Sequence, residues 1–443
     1  MMSMTVISIL VIISILAIIF LTSGLKMKAF AALFLVSVFL AFATLPASTV
    51  VTTIKEGFGN TMASIGFLII FGAMIGITLD RTGGMISIAT YILSVTGVRR
   101  SAHAIGITGF ITGLPIFCDS AFIILSGLAR SFSARARVPM ALMATILATS
   151  LYSVHCLIPP HPGALAAAGI LDANVGNLIL AGILFAVPGF LAAWFWSKLM
   201  IKGGNYEPAS EEKENTADQR ELPSPLMSFL PIVVPLLLIT IKAFLSLADN
   251  DASTLMSRIF RFPGEPVFAL ATGVLLSLLL LRKKTMDSVN SLFTEAIEKA
   301  GPILIITAAG GMFGMVIRET GVGEYAGQIL AGTGAGLLVP FLIASLMKTA
   351  QGSSTVAIIT TASFVLPMLD ILGLASESGK ILAMLSMGAG SMMISHANDS
   401  YFWVVSSFSG IDIRTALRVY STSTAVMGIT IFLLIWLSSL FIL

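Results

Sequence analysis

HCLIPPHPGA, residues 155–164, is the stretch on which the reading of the fold turns. It carries two of the chain's four histidines and three of its 17 prolines, yet it lies between strongly apolar segments. Proline has no amide hydrogen, and its ring clashes with the carbonyl four residues back, so Pro159, Pro160 and Pro162 cannot continue a helix. A helix over 139–154 is expected to stop here, and another to begin near Gly163. The exposed amides and carbonyls then become ligands instead of ladder partners. In a membrane, non-helical backbone is tolerated only where protein or a wet cavity satisfies it.

The surroundings are those of a membrane protein. Of 443 residues, 56% are hydrophobic and 11% charged, with a mean hydropathy of +0.99. A soluble domain carries about 25% charged residues. Val6–Leu21, Phe30–Pro46, Ile65–Leu79, Leu178–Trp196, Leu226–Ile241, Val267–Leu281 and Val419–Leu443 approach the roughly 20 apolar residues of a membrane-crossing helix. The expected fold class is an all-α polytopic membrane protein. The net charge of +3, without a basic face, argues against a nucleic-acid partner. The first run follows MMSMT, which has no Lys or Arg, and reads as a retained helix rather than a signal peptide. Cys118 and Cys156 give neither metal spacing nor a disulfide framework and read as packing residues. No metal site and no cofactor are expected.

The hydrophilic segment 203–225 holds six of the 22 acids and reads as a solvated linker between two halves, 1–202 and 226–443. The halves resemble each other. GFLIIFGAMIGITLDRTGG (66–84) lies over LIITAAGGMFGMVIRETGV (304–322), so that Gly72, Gly76 and Gly83 meet Gly310, Gly314 and Gly321 at one offset of 238 residues. At the same offset TGLPIFCDSAF (112–122) falls near AQGSSTVAIIT (350–360), and HCLIPPHPG near SHANDSYFW (395–403). Basic residues set orientation. Lys26, Lys28, Arg99, Arg100, Arg130, Arg135, Arg137 and Arg282–Lys284 fall mostly on one side if the N-terminus is outside and the linker cytoplasmic, with 47–59 taken as a loop. Each half then crosses an odd number of times, which makes the repeats inverted, a hallmark of secondary transporters. His103–Leu128, broken by Gly113, Pro115 and Asp119, and Gly336–Pro367, broken at Gln351–Thr355, are expected to be re-entrant hairpins.

Four polar stretches then define the candidate site, because an ionisable residue in the membrane is expensive. In GLPIFCDSAF (113–122), Asp119 is either a helix cap or a carboxylate for a proton, a cation or substrate hydroxyls, with Ser120 beside it. In HCLIPPHPG, His155 and His161 flank the break and can donate, accept or titrate near neutral pH. They serve either substrate or the broken backbone. In KTAQGSSTVA (348–357), Gly352 permits a sharp turn and Ser353, Ser354 and Thr355 begin a helix whose amides favour an anion. Lys348 pairs with a carboxylate there or snorkels to the interface. In SHANDSYFW, Asn398, Asp399 and Ser400 form a turn-like break beside His396. The two histidines of HCLIPPHPG, six apart across prolines, do not have the spacing of a helical zinc site.

In that order, GLPIFCDSAF, HCLIPPHPG, AQGSSTVA and HANDSYFW resemble the gluconate permease family of sugar-acid:proton symporters, within the ion transporter superfamily, over nearly the whole chain. The resemblance implies two inverted repeats, each with a re-entrant hairpin and a discontinuous helix. It also implies elevator-type transport, often in a homodimer, in the bacterial inner membrane. Its members carry gluconate and related aldonates, short hydroxy acids and, in one branch, D-serine. The binding positions it implies are Asp119, Ser120, His155, Pro160, His161, Gln351, Gly352, Ser353, Ser354, Thr355, His396, Asn398, Asp399 and Ser400. Where gluconate-type members carry Phe-Phe-Glu, this chain has Phe117-Cys118-Asp119, pointing to a smaller or differently shaped acid. The expected function is proton-coupled uptake of a small carboxylate. Lys348 and the helix start at Ser353–Thr355 would hold the carboxylate, and Asp119, His155, His161 and Asp399 are the proton-coupling candidates. Sodium-coupled transport of a carboxylate or a D-amino acid is the alternative. An intramembrane enzyme or a channel fits the inverted repeat less well.

Overall fold

The computed structural model describes residues 3–97, 100–115, 117–202, 204, 206–209, 222–248, 255–282, 284–322, 336–396 and 399–443. Among them every regular element is helical. The first half comprises α1 (Met4–Ile19), α2 (Ala29–Thr44), α3 (Ala47–Thr82), α4 (Gly84–Thr96), α5 (Ser101–Gly113), α6 (Cys118–Ala136), α7 (Met140–Leu157), α8 (Pro162–Leu171) and α9 (Val175–Ile201). The second comprises α10 (Pro225–Ala248), α11 (Leu255–Arg261), α12 (Pro266–Leu278), α13 (Met286–Glu319), α14 (Leu338–Gln351), α15 (Ser354–Val365), α16 (Glu377–Ser391), α17 (Ser400–Ser409) and α18 (Thr422–Ile442). A π-helical stretch, Ala416–Ser421, leads into α18. Six helices among the described residues are long and apolar enough to cross a membrane.

Every apolar run read from the sequence falls on a helix. The region 47–59 does not form the expected loop; it is the first third of α3. Val50, Thr53 and Gly57, with Thr61 just beyond, are buried at helical spacing, and Gly57 and Thr61 pack on Gly311 of α13, while Lys55 and Glu56 stay exposed. The two long helices approach closely because Gly57 and Gly311 meet at their crossing; a Cβ on Gly57 would lie 2.7 Å from the Met312 Cα.

The offset of 238 residues that aligns the glycines also aligns helix boundaries. It carries α8 onto α17 end for end, and brings α3, α5, α7 and α9 close to α13, α14, α16 and the span Ile413–Ile442. Chain reversals coincide too. Gly83 and Gly321 have φ of 76° and 70°, and the residues that end α8 and α17, Asp172 and Gly410, have φ of 53° and 71°. Packing follows the same scheme, with α5 on α7 and α14 on α16.

α7 is buried along its whole length and α16 along most of its own, so these two helices form the centre. Around them α5 and α6 form one hairpin, and α14 and α15 another. At 1.5 Å per residue, α5, α14 and α15 span only about 18–21 Å, short of the roughly 30 Å hydrocarbon core. Each hairpin tip meets a broken helix. Both described ends of the 203–225 segment are tied down: at the first the Glu207 carbonyl accepts from Met140 N at 3.0 Å and Ala209 N donates to Ser133 Oγ at 2.9 Å, and at the second Ser87 Oγ donates to the Pro223 carbonyl at 2.6 Å.

Candidate functional site

α7 runs three residues further than expected, to Leu157, and α8 starts at Pro162. The reason lies in proline stereochemistry. Pro159 excludes helical backbone at Ile158, the residue before it, but not at Leu157. Pro162 occupies the first turn of α8, where a missing amide hydrogen costs nothing. His155 therefore sits in the last turn of α7, and His161 at the N-cap of α8, with no side-chain cap bond. The rings face each other with Nδ1···Nδ1 at 3.2 Å. His161 Nε2 lies 2.5 Å from the Gly113 carbonyl at the first hairpin tip, and His155 Nε2 lies 3.3 Å from Thr355 Oγ1 at the second.

The second break is built around an ion pair. Lys348 Nζ lies 2.6 Å from Asp399 Oδ2 and donates to the Gly352 carbonyl at 2.8 Å. Lys348 is 1% and Asp399 3% exposed. Ser395 Oγ donates to the same carboxylate at 2.5 Å, and Tyr401 N donates to Asp399 Oδ1 at 3.0 Å. Lys348 thus does not snorkel to an interface, and its charge is balanced within the protein. Ser395, which itself holds Asp399, is fixed by α18 and the π-helical turn before it: Ser395 N donates to Thr424 Oγ1 at 3.1 Å, and Ser421 Oγ donates to the Ser395 carbonyl.

Between the tips and the breaks lies a cavity of about 220 Å³. Its polar lining includes Asp119, His155, Ser354, Thr355, Asp399 and Ser400, and Ile303 and Ile306 of α13 close one side. Three helices, α6, α15 and α17, begin at its wall. Their N-terminal amides and dipoles favour negative charge in that space. Ser353 and Asp399 cap α15 and α17 through Val356 N and Tyr401 N. α6 has no side-chain cap: its N-cap is Phe117, so Asp119 lies one residue inside the helix and does not act as the cap. The Asp119 Oδ1 atom is buried and takes no hydrogen bond from the described residues.

The other expected positions separate by location. Ser120, Pro160 and His161 line a neighbouring cleft, with Asp80 of α3 and Lys299 of α13. Gly352 ends α14 with φ of 78° and serves through its carbonyl. Ser353 caps α15 and also lines the main cavity, and the His396 carbonyl accepts from Asp399 N at 2.8 Å. Neither Lys348 nor His396 is among the residues lining the cavity. Asn398 and the side chain of Gln351 lie outside the described residues.

Two lining tyrosines escaped the sequence reading. Tyr401 OH donates to the Ala148 carbonyl of α7 at 3.1 Å, and Tyr152 OH donates to the Ser391 carbonyl of α16 at 3.2 Å. Each broken helix thus holds the other. Both tyrosines lie in motifs flanking the breaks, three residues before His155 and two after Asp399, and that proximity was the available signal.

The sequence model of the GntP family permease matches residues 4–441. The chain belongs to the GntP permease family. The permease is 31% identical over 415 residues to the Gnt-II system L-idonate transporter of Escherichia coli (strain K12), covering 92% of this chain and 93% of that one. It is 30% identical over 445 residues to a gluconate permease of Bacillus licheniformis, covering 96% and 98%. The crystal structure of the Alcanivorax borkumensis YdaH transporter, described as having an unusual topology, shares the fold. Its TM-score is 0.64, over 92% of this chain and 97% of that one, at 14% identity. The permease is a multi-pass inner-membrane protein and not an enzyme.

Proposed function

We propose that the permease takes up a small polyhydroxylated carboxylate, a gluconate-like sugar acid or hydroxy acid, together with a proton. The observation that carries this reading is the unpartnered Asp119 oxygen at a cavity where three helices begin. The helix starts favour a carboxylate, and the hydroxyls of Ser354, Thr355 and Ser400 suit a polyol. Lys348 is already paired, so an anion entering beside an ionised Asp119 would meet net repulsion. A protonated Asp119 instead donates a hydrogen bond to the solute. One proton then accompanies each anion on electrostatic grounds. The names of the relatives, L-idonate transporter and gluconate permease, fit this substrate class.

The same reading takes 1–202 and 226–443 as two inverted repeats joined by 203–225. The hairpins and broken helices would move as one body against the long α3 and α13 in an elevator-like cycle, within a homodimer. The correspondence of helix boundaries at one offset supports the repeat.

Reconstitution into proteoliposomes tests the function. With an inward proton gradient, labelled gluconate, L-idonate, smaller aldonates, glycerate and D-serine are offered in parallel. Saturable uptake of one acid, abolished by protonophore, is the expected result. Uptake that follows a sodium gradient and ignores the proton gradient would overturn the coupling.

A further inference from the structure

We propose that His155 and His161 form a one-proton site that clamps the first hairpin tip, and that a coupling proton crossing this site releases the tip. The inference rests on the proton-coupled reading above. It concerns the path of the proton, not the solute.

Hydrogen-bond chemistry fixes the tautomers. A carbonyl oxygen only accepts, so His161 Nε2, beside the Gly113 carbonyl, carries a hydrogen. In the neutral ring its Nδ1 is then bare and accepts from His155 Nδ1–H at 3.2 Å. His155 is in turn bare at Nε2, where the Thr355 hydroxyl donates at 3.3 Å. Donors thus run in one direction, from Thr355 through both rings to Gly113. Thr355 and His155 line the main cavity, whereas His161 lines the cleft that holds Asp80 and Lys299. The pair bridges two separate spaces.

One added proton fits without loss of a bond. Placed on His155 Nε2 from the cavity, it turns the Thr355 hydroxyl from donor to acceptor by rotation about Cβ–Oγ. The His155 Nδ1–H bond then breaks as the His161 Nδ1–H bond forms, and the positive charge moves one ring onward. A second added proton does not fit, because two N–H groups would oppose each other across the short Nδ1···Nδ1 gap. With His161 charged, its bond to Gly113 is charge-assisted and tighter. When the Nε2 proton leaves for water or the Asp80 carboxylate in the cleft, both rings are neutral again. Gly113 has then lost its donor and faces a bare nitrogen, so the hairpin tip separates. One proton enters and one leaves; the clamp is tightest in between, opens once the proton has left, and closes again when both rings return to their starting tautomers.

Charged and titratable groups face the pair from every side. Lys348 of α14 and Asp399 of α17 are paired with each other. Asp119 and Cys118 of α6 and Tyr401 of α17 line the cavity. On α7 itself, Tyr152 stacks on His155 with ring centroids 6.4 Å apart, and Cys156 is buried. Asp80 and Lys299 occupy the cleft. The carboxyls Asp119 and Asp80 thus stand at the two ends of the path.

The test uses H155Q and H161Q, whose amides donate hydrogen bonds but hold no extra proton. Proteoliposomes with labelled gluconate or L-idonate, whichever the wild type exchanges, are assayed in two modes. Counterflow at equal pH needs no net proton transfer and is expected to fall several-fold less than driven accumulation. Accumulation driven by an inward proton gradient is expected to fall at least tenfold. Undiminished accumulation overturns the inference. Collapse of counterflow as well makes the pair a structural brace and also overturns it. A wild type indifferent to the proton gradient overturns the symport reading itself. A readout independent of transport is the ¹⁵N spectrum of histidine-labelled wild type, which contains only His103, His155, His161 and His396. One Nδ1–H ring bonded to one Nε2–H ring is expected; Nε2–H on both overturns the inference.

Discussion

Lys348 and Asp399 form an ion pair of 2.6 Å, with both side chains 4% exposed or less, although 51 residues separate them. The pair joins the turn of the second hairpin to the start of α17. Removing one partner leaves a buried charge uncompensated, which costs about 3–5 kcal/mol, while replacing both by apolar groups is often neutral. Lys348→Met and Asp399→Leu are therefore each expected to lower the thermal midpoint in detergent sharply, and the double variant to recover most of the loss. A double variant as unstable as the worse single one would contradict a simple charge pair.

Asp119 differs because its Oδ1 has no partner among the described residues. Asp119→Asn is expected to leave the melting temperature nearly unchanged while removing the proton dependence of uptake, and Asp119→Glu to retain it. Full-rate uptake by D119N with an intact response to the proton gradient would remove the proton from this residue.

The tyrosine ties are neutral hydrogen bonds, each contributing about 0.5–1.5 kcal/mol net. Tyr152→Phe and Tyr401→Phe are each expected to cost about 1 kcal/mol in denaturation assays. Both lengthen the tether between the broken helices, so their effects should be less than additive in a double-mutant cycle. Strict additivity would mean that the two ties act independently.

At the α3–α13 crossing, Gly57 and Gly59 make a matched pair. A Cβ on Gly57 would press on backbone of α13, whereas one on Gly59 meets nothing within 4 Å. Gly57→Ala is expected to destabilise by about 1–3 kcal/mol through overpacking. Gly59→Ala is expected to stabilise by up to about 1 kcal/mol through helix propensity. Thermal melts of the two variants check the contrast.

Asp412 lies just outside the last span, where the Thr415 hydroxyl, and after it the Thr415 amide, hold its carboxyl below its ordinary value of 3.8. A depressed value in the folded state means that the cap stabilises fully above the unfolded value. The contribution is lost as pH falls through the folded one. Asp412→Ala is thus expected to cost about 1 kcal/mol at neutral pH, as other N-cap deletions do. The gap from wild type should close only in strong acid, below the ordinary carboxylate value. A gap that closes between pH 5 and 7 would assign the effect to another group.

Much of this architecture could be read locally. The prolines at 159, 160 and 162 and Gly352 place two of the interruptions to within about three residues, because they act on their own backbone. The segment 47–59 misled because its Ser, Thr, Gly and charged residues look loop-like, and only the facing groove of α13 gives its small residues a reason to be helical. Of the two readings open for Asp119, the cap fails on register: capping depends on one residue of position, and the helix begins at Cys118 with Phe117 as its N-cap.

Composition and local stereochemistry were enough to read the membrane solvent of this protein, its helical class and two of the places where helices break. These follow from composition and from the stereochemistry of proline and glycine, which need no partner. Only packing decided that Lys348 meets Asp399, that His155 meets Thr355 and His161 meets Gly113, and that Asp119 lines a cavity with one buried oxygen unpartnered among the described residues. The physical reason is that hydrogen bonds and ion pairs reach only about 3 Å, so which groups meet depends on how helices far apart in the chain pack together.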